Sequence, residues 1–526
     1  MYKKQNQQLS ILDFGMPLGM SLDPNNRWVV RAQHVPWDVL EEKYSEQFKD
    51  STTGNVAKLF RLMFGASLIK TIRQISDEET ALQIQETPCL QYFCGLPRYE
   101  ETLPFDPSSM TRFRKRLTPE ILSELNEILI TVFHDEADMN DGSDDQNSNS
   151  EITPEALNLD PHTDSKETQE TQETPSEATP TNSGTLILDS TCVPQNIRYP
   201  QDLSLLDEAR RNLEGMIDTL HDANDSKKPR TYRIKARKQY LAIAKKRHKS
   251  LRAVRKAQGQ QLRYIKRNLS YINSYLLQGR ELTIKQYERL KTIMTLYEQQ
   301  LEMYKKNVKH VANRIVSLAQ PYIRPIVRGK ARAKTEFGAK IDMSVSNGLV
   351  RLEHMSFNAY NESENMINAI EKYYEREGHY PAKVLADQIY RTKANLKYCS
   401  EKNITMLGLP LGRPRKDSIP DKKQMRQDEI DRIEVEQKIA LAKGSYGLGL
   451  IRMKLRNTSL VAISVAIFAM NLDFIVRFFC FLYILLLKTI KIENNSNMII
   501  FRHLCRLENC RYSGCINYAS HLSHIS

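Results

Sequence analysis

Apolar residues follow two different spacings along the chain. Between residues 55 and 129 they recur every three or four positions, with prolines at 88, 97 and 104, which predicts a series of short helices. Residues 1–50 precede them as an arm, and we expect Trp28 and Trp37 to pack on the helical part. Later in the chain, short unbroken apolar runs predict buried strands. The pattern therefore indicates a helical N-terminal region followed by an α/β domain.

Two of the predicted strands end in an aspartate. The apolar run 185–188 is followed by Asp189, and the run 382–386 is followed by Asp387. A carboxylate delivered by the end of a buried strand is suited to chemistry at the edge of a sheet. Each aspartate could instead cap the next helix, which is the commoner role for a single Asp. Two such strands followed by a helical glutamate favour a site.

A predicted hairpin lies between these two strands. Residues 339–346 alternate in polarity, Asn347-Gly348 forms a turn, and residues 349–352 return. Residues 361–374 then read as a helix that leads to the strand before Asp387. This order places both aspartates on strands of one sheet.

A long helical insertion is predicted at about residues 205–320. Its second half carries apolar residues spaced by threes and fours at Tyr287, Leu290, Met294, Tyr297, Leu301, Tyr304, Val308, Val311, Ile315 and Leu318. A matching stripe at 262–276 precedes Gly279, a natural turn. The spacing predicts an antiparallel coiled-coil hairpin, although the seam could instead serve a second subunit.

The most apolar segment runs from residue 460 to 487. Asn471, Asp473 and Arg477 interrupt it, leaving runs shorter than the roughly 20 residues that a bilayer span needs. We interpret it as a core helix that closes the α/β domain and expect no membrane contact.

Charge is unevenly distributed over the 526 residues, whose net charge is +13. Residues 135–183 carry 14 acids and one lysine, a net of −13, which leaves +26 on the rest. This segment is too polar to bury a core and is predicted to be a disordered linker, which could alternatively occupy a basic surface in cis. The remaining positive charge predicts a polyanionic partner.

Two segments concentrate the positive charge. Residues 227–267 hold 17 Lys and Arg and no acid, so we expect this part of the insertion to contact phosphates rather than only solvent. Residues 107–117 could form a basic recognition helix or merely a solvated helix face. The candidate DNA contacts are Arg112, Arg114, Lys115, Arg116, Lys245, Lys246 and Arg247.

The eight cysteines and a polar N-terminus without a signal peptide predict reduced thiols in a cytosol. In the tail, Cys505, Cys510 and Cys515 precede two histidines, but the four-residue spacings fit a zinc site poorly. No role is assigned to the tail.

The segment 432–443 carries the strongest functional signal. On a helix, Arg432, Glu436 and Lys443 share one face in the order base, acid, base, whereas Glu434 points nearly the opposite way. A carboxylate between two cations suits a divalent metal beside a phosphodiester. By itself the pattern is more often a solvated face with i, i+4 pairs.

Together these features resemble the bacterial insertion-sequence transposases of the DDE type, in the group numbered five, over about residues 50–134 and 185–475. Further shared motifs are QPYIRPIVRGK at 320–330, EFGAK at 336–340 and LPLGRP at 409–414. The family's third-acid signature, Y-(2)-R-(3)-E-(6)-K, is met by Arg432, Glu436 and Lys443, with Glu429 in place of the tyrosine. Ile389 stands where the family usually has glycine.

The resemblance implies an RNase H-like α/β fold, a mixed sheet flanked by helices, with an all-α N-terminal DNA-binding domain. It implies domains at 1–134, a linker at 135–184, a catalytic domain at 185–490 and a tail at 491–526. It also implies that Asp189 bridges two Mg²⁺ or Mn²⁺ ions, that Asp387 and Glu436 each complete one, and that Arg432 and Lys443 hold flanking phosphates.

The implied reaction is cleavage at the element's ends followed by attack of the freed 3′-OH on target DNA. The implied partners are double-stranded DNA, namely terminal inverted repeats and target, and a second copy of the chain in a dimer or larger synaptic assembly. The expected location is the bacterial cytoplasm, with the nucleoid. Two alternatives remain at this stage: a nuclease of the same fold that does not join strands, and a non-catalytic DNA-binding protein derived from a transposase.

Overall fold

The structure is a computed structural model, and it describes residues 2, 9–48, 56–141, 181–222, 227–327, 335–408 and 422–489. The N-terminal region is helical, as its apolar spacing predicts. Its helices are α1 Arg27–Gln33, α2 Trp37–Ser45, α3 Phe60–Arg73, α4 Asp77–Glu86, α5 Pro88–Phe93, α6 Ser108–Arg116 and α7 Pro119–Asp141. Trp28 and Trp37 both pack edge-on against Phe93, with ring centroids 5.2 and 5.4 Å apart. The N-terminal arm is therefore part of the core.

The rest of the described chain is a mixed α/β domain. Its strands are β1 Thr185–Pro194, β2 Arg324–Val327, β3 Thr335–Ser346, β4 Leu349–Ser356, β5 Lys383–Ala386 and β6 Thr405–Met406. Its helices are α8 Asp202–Leu220, α9 Arg233–Ala244, α10 Leu251–Leu277, α11 Ile284–Lys306, α12 Met366–Glu377, α13 Lys393–Glu401, α14 Lys422–Ser445 and α15 Arg456–Thr489.

The strands form one sheet with β1 at its centre. On one side of β1 lies antiparallel β3, which also pairs antiparallel with β4 and β2; on the other side lie β5 and β6, both parallel. The antiparallel strands β4, β3 and β1 followed by β5 and β6, which run parallel to β1, have the order of an RNase H-like sheet, with β2 as an additional antiparallel strand on β3. This confirms the predicted fold class. The predicted turn also forms, with Asn347 and Gly348 both at positive φ, 51° and 76°.

Both faces of the sheet are covered. Leu186 and Leu188 of β1 face a core formed with α12 and α13. Ile187 and Val193 face the opposite way, into a larger core shared with α14, α15 and the N-terminal helices. This alternation follows from the period of two along a strand, and it places Asp189 in register with Ile187 and Val193, toward the α14 side.

α15 joins the N-terminal region to the sheet. It packs against α1, α3, α6 and α7 on one side and against β4 and α14 on the other. By length and composition it could cross a membrane, but 89% of its apolar window is buried inside the protein. The segment is therefore a core helix, as predicted.

The polar residues that interrupt α15 make buried hydrogen bonds. Asp473 accepts from Arg31 Nε at 2.6 Å and from the Tyr446 hydroxyl at 2.7 Å, so it links α15 to α1 and to the end of α14. Asn471 accepts from the backbone N–H of Val350 at 2.9 Å and donates to Asn126 of α7 at 2.9 Å. A buried polar group is tolerated only when it is paired, so these contacts fix how α15 sits between the two regions.

The insertion is a helical bundle rather than only a hairpin. α10 and α11 do pack together after the turn at Gly279, but α8 packs on both of them within the same core. α11 ends at Lys306 with Asn307 in the left-handed conformation, so the predicted helical seam does not continue to Leu318. Tyr287 and Met294, predicted on the seam, are 60% and 48% exposed.

Several sequence predictions fall outside the described residues. Most of the acidic linker, residues 142–180, and the whole tail with its cysteines and histidines are among them. The predicted boundary at 134 lies within α7, which continues to Asp141. The described cysteines, Cys89, Cys94, Cys192, Cys399 and Cys480, form no disulfide.

The buried Asp473–Arg31 pair gives a first prediction. Asp473→Ala leaves the Arg31 guanidinium buried without its counter-ion, which we expect to cost about 3–5 kcal/mol of unfolding free energy. Because α15 belongs to both regions, tryptophan fluorescence and circular dichroism should shift together in denaturant titrations. Glu302→Ala, which breaks the exposed pair with Lys306, is the control and should change little. Fluorescence moving alone would contradict a shared core.

His34 gives a prediction for pH dependence. Its ring stacks on Phe479 of α15 at 4.8 Å, and burial lowers its pKa from 6.5 to about 4. Since the folded state disfavours the proton, stability is full above pH 6.5 and falls as pH drops toward 4, by up to roughly 2 kcal/mol between pH 7 and 5. His34→Phe keeps the stacking and should reduce this loss when both proteins are unfolded in urea across that range. Parallel pH curves would refute the assignment to His34.

Candidate active site

Asp189 and Asp387 lie side by side on neighbouring parallel strands. In the β1–β5 ladder Leu188 pairs with Ala386, so the next residue on each strand is one of the two aspartates. Adjacent strands are about 4.8 Å apart, and residues at equal register face the same side. Asp189 does not end its strand as predicted, because pairing with β3 extends β1 to Pro194. Only β5 ends there, which opens the site toward solvent.

Asp387 also caps a helix, which is the alternative role predicted for it from the sequence. It is the N-cap of a short 3₁₀ helix, Gln388–Tyr390, and its Oδ1 accepts from the Gln388 N–H at 2.8 Å. Asp387 is exposed, and so is Ile389, whose side chain occupies open surface at the position where the family usually has glycine. The capping bond uses one carboxylate oxygen and leaves the other available.

α14 carries the third acid across the sheet. The helix packs on β1, β5 and β3, with Val435 fully buried. Glu436 follows it at the solvent side of the contact, and Arg432 Nη1 lies 3.0 Å from its Oε1. Lys443 Nζ donates to Thr191 Oγ1 at 2.8 Å, two residues beyond Asp189 on the same face of β1. The predicted face of base, acid and base therefore points at the strand that carries Asp189.

The electrostatics of Asp189 reveal which acids it faces. Its pKa is raised, first because the side chain is largely buried and further by the nearby charges of Glu436, Asp387 and Glu362, while the bond from the Ser190 N–H opposes the shift. Glu436 and Asp387 are thus near enough to Asp189 for their charges to disfavour its ionised form. Mutual repulsion among them favours a cation at this point.

Sequence patterns missed two further acids beside the site. Asp342 of β3, 4% exposed, accepts from the Tyr360 hydroxyl at 2.8 Å and from Asn365 Nδ2 at 2.7 Å. Glu362 pairs with Lys340 Nζ at 2.5 Å. The only signal for Asp342 was its place among the polar positions of an alternating strand, and Glu362 sits in a short helix with no distinctive spacing.

The donors suit a hard divalent cation in kind, because all three predicted acids offer carboxylate oxygens. Asp189 and Asp387 each have one oxygen in a local N–H bond and the other left over, and Glu436 shares one oxygen with Arg432. Within the described part of the chain, however, no three His, Cys, Asp or Glu side chains converge closely enough to hold an ion.

Glu434 lies two residues before Glu436 on α14, which sets it about 200° around the helix from Glu436. Glu434 is half-buried, and burial raises its pKa, while the positive charge of Lys438 opposes that shift. Its Oε1 has no hydrogen-bond partner among the described residues. Lys438 itself donates to the Gly348 carbonyl at 2.5 Å in the β3–β4 turn.

The basic helix α6 requires a correction. Arg114, predicted to contact DNA, is 7% exposed and makes two hydrogen bonds to Asp77, at 3.0 and 2.5 Å. It faces inward because it follows buried Phe113 and lies four residues after buried Met110 on the packed side of the helix. Arg112, Lys115 and Arg116 are exposed, and Arg116 lies over the Phe48 ring at 5.8 Å.

The basic run of the insertion lies largely on the surface. Lys245, Lys246 and Arg247 are all exposed in the connection between α9 and α10. Asp218 pairs with Lys228 and Arg233 at the start of the run. Tyr232 lies between the guanidinium groups of Arg230 and Arg267, at 5.0 and 4.5 Å from its ring centroid.

Comparisons with known proteins agree with this geometry. Residues 17–116 match the family model of the Transposase domain (DUF772), and residues 384–473 match that of the Transposase DDE domain. The second match contains Asp387, Arg432, Glu436 and Lys443. The chain thus carries matches to an N-terminal and a C-terminal transposase domain, as an insertion-sequence transposase does. Asp189 lies before the matched DDE segment.

One relative and the solved structures complete the comparison. An uncharacterized protein of Rhizobium meliloti, ORF8 in the nfe locus, is 34% identical over 104 residues, which is 20% of this chain. The aligned segment spans about half of that protein, 49%. No solved structure matches this chain.

Proposed function

We propose that this transposase cleaves DNA at the ends of its insertion sequence and joins the freed 3′-OH to target DNA in a single two-metal-ion site. The observation that carries the proposal is the register of β1 and β5, which sets Asp189 beside Asp387, with Glu436 of α14 acting on Asp189. Such a set of carboxylates in an RNase H-like sheet is suited to phosphodiester chemistry with Mg²⁺ or Mn²⁺.

The three acids divide the work by position. Asp189, the most buried of the three, would hold the ions from the sheet, and Asp387 and Glu436 would hold them from the exposed rim. When bound, the ions supply Lewis acidity and align the attacking and leaving oxygens. Because Asp387 and Glu436 are exposed to solvent, a DNA strand would have room to bind beside them at the end of β5.

The flanking cations would hold phosphates. Arg432 neutralises Glu436 in the free protein at 3.0 Å, and it can turn to a phosphate once that carboxylate is engaged elsewhere. Lys443 is directed to β1 through Thr191, so its charge lies along the same face as Asp189. The resemblance to the family's third-acid signature and these contacts support both roles.

DNA contacts would extend beyond the catalytic face. The exposed basic run with Lys245, Lys246 and Arg247, and the exposed Arg112, Lys115 and Arg116 of α6, are candidates for phosphate contact with the terminal repeats and target. Joining two ends calls for at least two copies of the chain, so we propose a dimeric or larger assembly acting at the bacterial nucleoid.

Substitution of the acids tests the chemistry. Asp189→Asn, Asp387→Asn and Glu436→Gln should each abolish strand cleavage of labelled element ends in Mg²⁺, because each removes a charged donor, while DNA binding persists. Glu434→Gln is the matched control on the same helix and should cleave like the parent. A dispensable Glu436 with an essential Glu434 would refute the assignment. Hydrolysis without joined products would instead indicate a nuclease.

Charge removal in the insertion tests the DNA surface. Each phosphate contact contributes about −0.9 to the slope of log K against log salt on duplex DNA, so neutralising Lys245, Lys246 and Arg247 to Gln should flatten the slope by up to about 2.7. The control removes three exposed cations from α11, at Lys285, Lys291 and Lys305, with an equal change in net charge. Equal slopes for both variants would mean that the basic run only faces solvent.

A further inference from the structure

A cluster of arginine and tyrosine side chains lies where α9 begins. Tyr232 precedes the helix, and two guanidinium groups lie over its ring, those of Arg230 and of Arg267 on α10, at 5.0 and 4.5 Å from the ring centroid. Arg267 also lies over the ring of Tyr264, at 5.1 Å. Contacts of this kind between a guanidinium and an aromatic face are attractive. None of these four residues is among the DNA contacts proposed so far.

The backbone at Tyr232 is held in an unfavourable conformation. Its φ of 55° and ψ of 29° lie in the left-handed region, which bulky residues rarely adopt. Such a conformation persists only where neighbouring contacts hold it. Here the Thr231 carbonyl accepts from Arg267 Nη2 at 3.4 Å, and Thr231 Oγ1 accepts from Arg233 Nε at 3.4 Å. The chain therefore accepts local strain where it sets this ring against the two guanidinium groups.

Neither Arg230 nor Arg267 has a carboxylate partner among the described residues. The basic run contains no acid of its own, and Asp218 at its start is already occupied. Asp218 accepts from both terminal nitrogens of Arg233, at 3.0 and 2.7 Å, and pairs with Lys228 Nζ at 2.5 Å. Arg267 Nε is buried and has no hydrogen-bond partner in the described part of the chain. Both guanidinium groups therefore keep donors for an anionic ligand.

The neighbouring Arg233 indicates which ligand such a group suits. Its guanidinium holds the two oxygens of Asp218 side by side, and the same planar fork fits the oxygens of a phosphate. Arg230 is exposed and Arg267 is half-buried, so a ligand can approach from solvent. Stacking on an aromatic ring restricts the plane of each guanidinium before the ligand arrives, which reduces the entropy lost on binding.

We propose that Arg230 and Arg267, oriented by the ring of Tyr232, form a binding site for phosphate groups of the DNA backbone. This inference rests on the proposed function, which makes DNA the partner of the insertion. The site differs from the lysines around it because its affinity depends on the orientation of the donors as well as on their charge. Every DNA sequence presents the same phosphates, so the site fixes the position of the DNA on the insertion and does not read its sequence.

Substitutions that conserve charge separate orientation from charge. Arg230→Lys, Arg267→Lys and Tyr232→Asn, each in the full chain, are titrated with a labelled duplex of random sequence at several salt concentrations. Asn tolerates the left-handed conformation, so Tyr232→Asn removes the ring with little change to the backbone. Each variant should bind about three- to tenfold more weakly than the parent, since bidentate contacts add energy beyond that of the charge alone. The slope of log K against log salt should stay the same, because no charge is removed.

Arg263→Lys is the matched control. Arg263 lies one turn before Arg267 on α10, is exposed, and has no aromatic ring beneath its guanidinium in the part of the chain that the structure describes. This variant should bind the duplex like the parent, because lysine keeps the charge. Thermal unfolding of every variant without DNA shows whether the cluster also fastens α9 to α10.

Four results would overturn the proposal, and they are distinguishable. Parent-like affinity in all three variants, with or without a lower unfolding midpoint, would limit the cluster to a structural role. Equal weakening in Arg263→Lys would mean that the stacked arginines are not special. A loss of affinity confined to a single-stranded probe of the same length would indicate contact with bases and not with phosphates. A parent whose duplex affinity does not fall with salt would overturn the proposed DNA surface of the insertion together with this site.

Discussion

The parallel pairing of β1 with β5 is the constraint on which the site depends. β1 is central, and the ladders to β3 and β5 leave its register no freedom, because a slip of one residue would turn Ile187 and Val193 out of their core. The same register sets Asp189 beside Asp387. The hydrophobic pattern of the strands thus positions the two aspartates. Helix α14 covers this face of the sheet, and the position of Glu436 around the helix axis determines whether it lies toward them.

Grouping carboxylates beneath a helix opposes stability. The raised pKa of Asp189 records that opposition, since burial and neighbouring acids both disfavour its charge. The surroundings offset part of it with bonds that do not consume the reactive oxygens: N–H donors at Ser190 and Gln388, Tyr360 and Asn365 on Asp342, and Lys340 on Glu362. The repulsion that remains is the kind of local cost expected where function is favoured over stability.

Local sequence rules predicted what local physics determines. The strands before Asp189 and Asp387, the Asn347-Gly348 turn and the phase of Glu436 against Glu434 all follow from periodicity and turn chemistry. The misses came from tertiary contacts. In the sequence Arg114 has the pattern of an exposed cation, and only the folded structure places Asp77 of α4 beside it. The helix that carries the predicted seam, α11, ends at Lys306, and α8, which is distant in sequence, supplies the core that a longer hairpin would have needed. Asp342 could not be predicted for the same reason, since only the folded sheet pairs it with Ser190, next to Asp189.

The shared core also bears on how DNA binding and chemistry could be coupled. The N-terminal helices do not form a separate module, because α15 packs against α1, α3 and α7 and against β4, and its Asp473 bonds both Arg31 of α1 and Tyr446 at the end of α14. α14 carries Glu436, so one buried carboxylate connects the N-terminal helices to the helix that holds the third acid. A DNA end bound on the exposed cations of α6 would therefore contact a region that shares its core with the proposed catalytic face. Repositioning of Glu436 must then come from rotation of its side chain or from movement of α14 together with α15. This packing disfavours an independent movement of the N-terminal region.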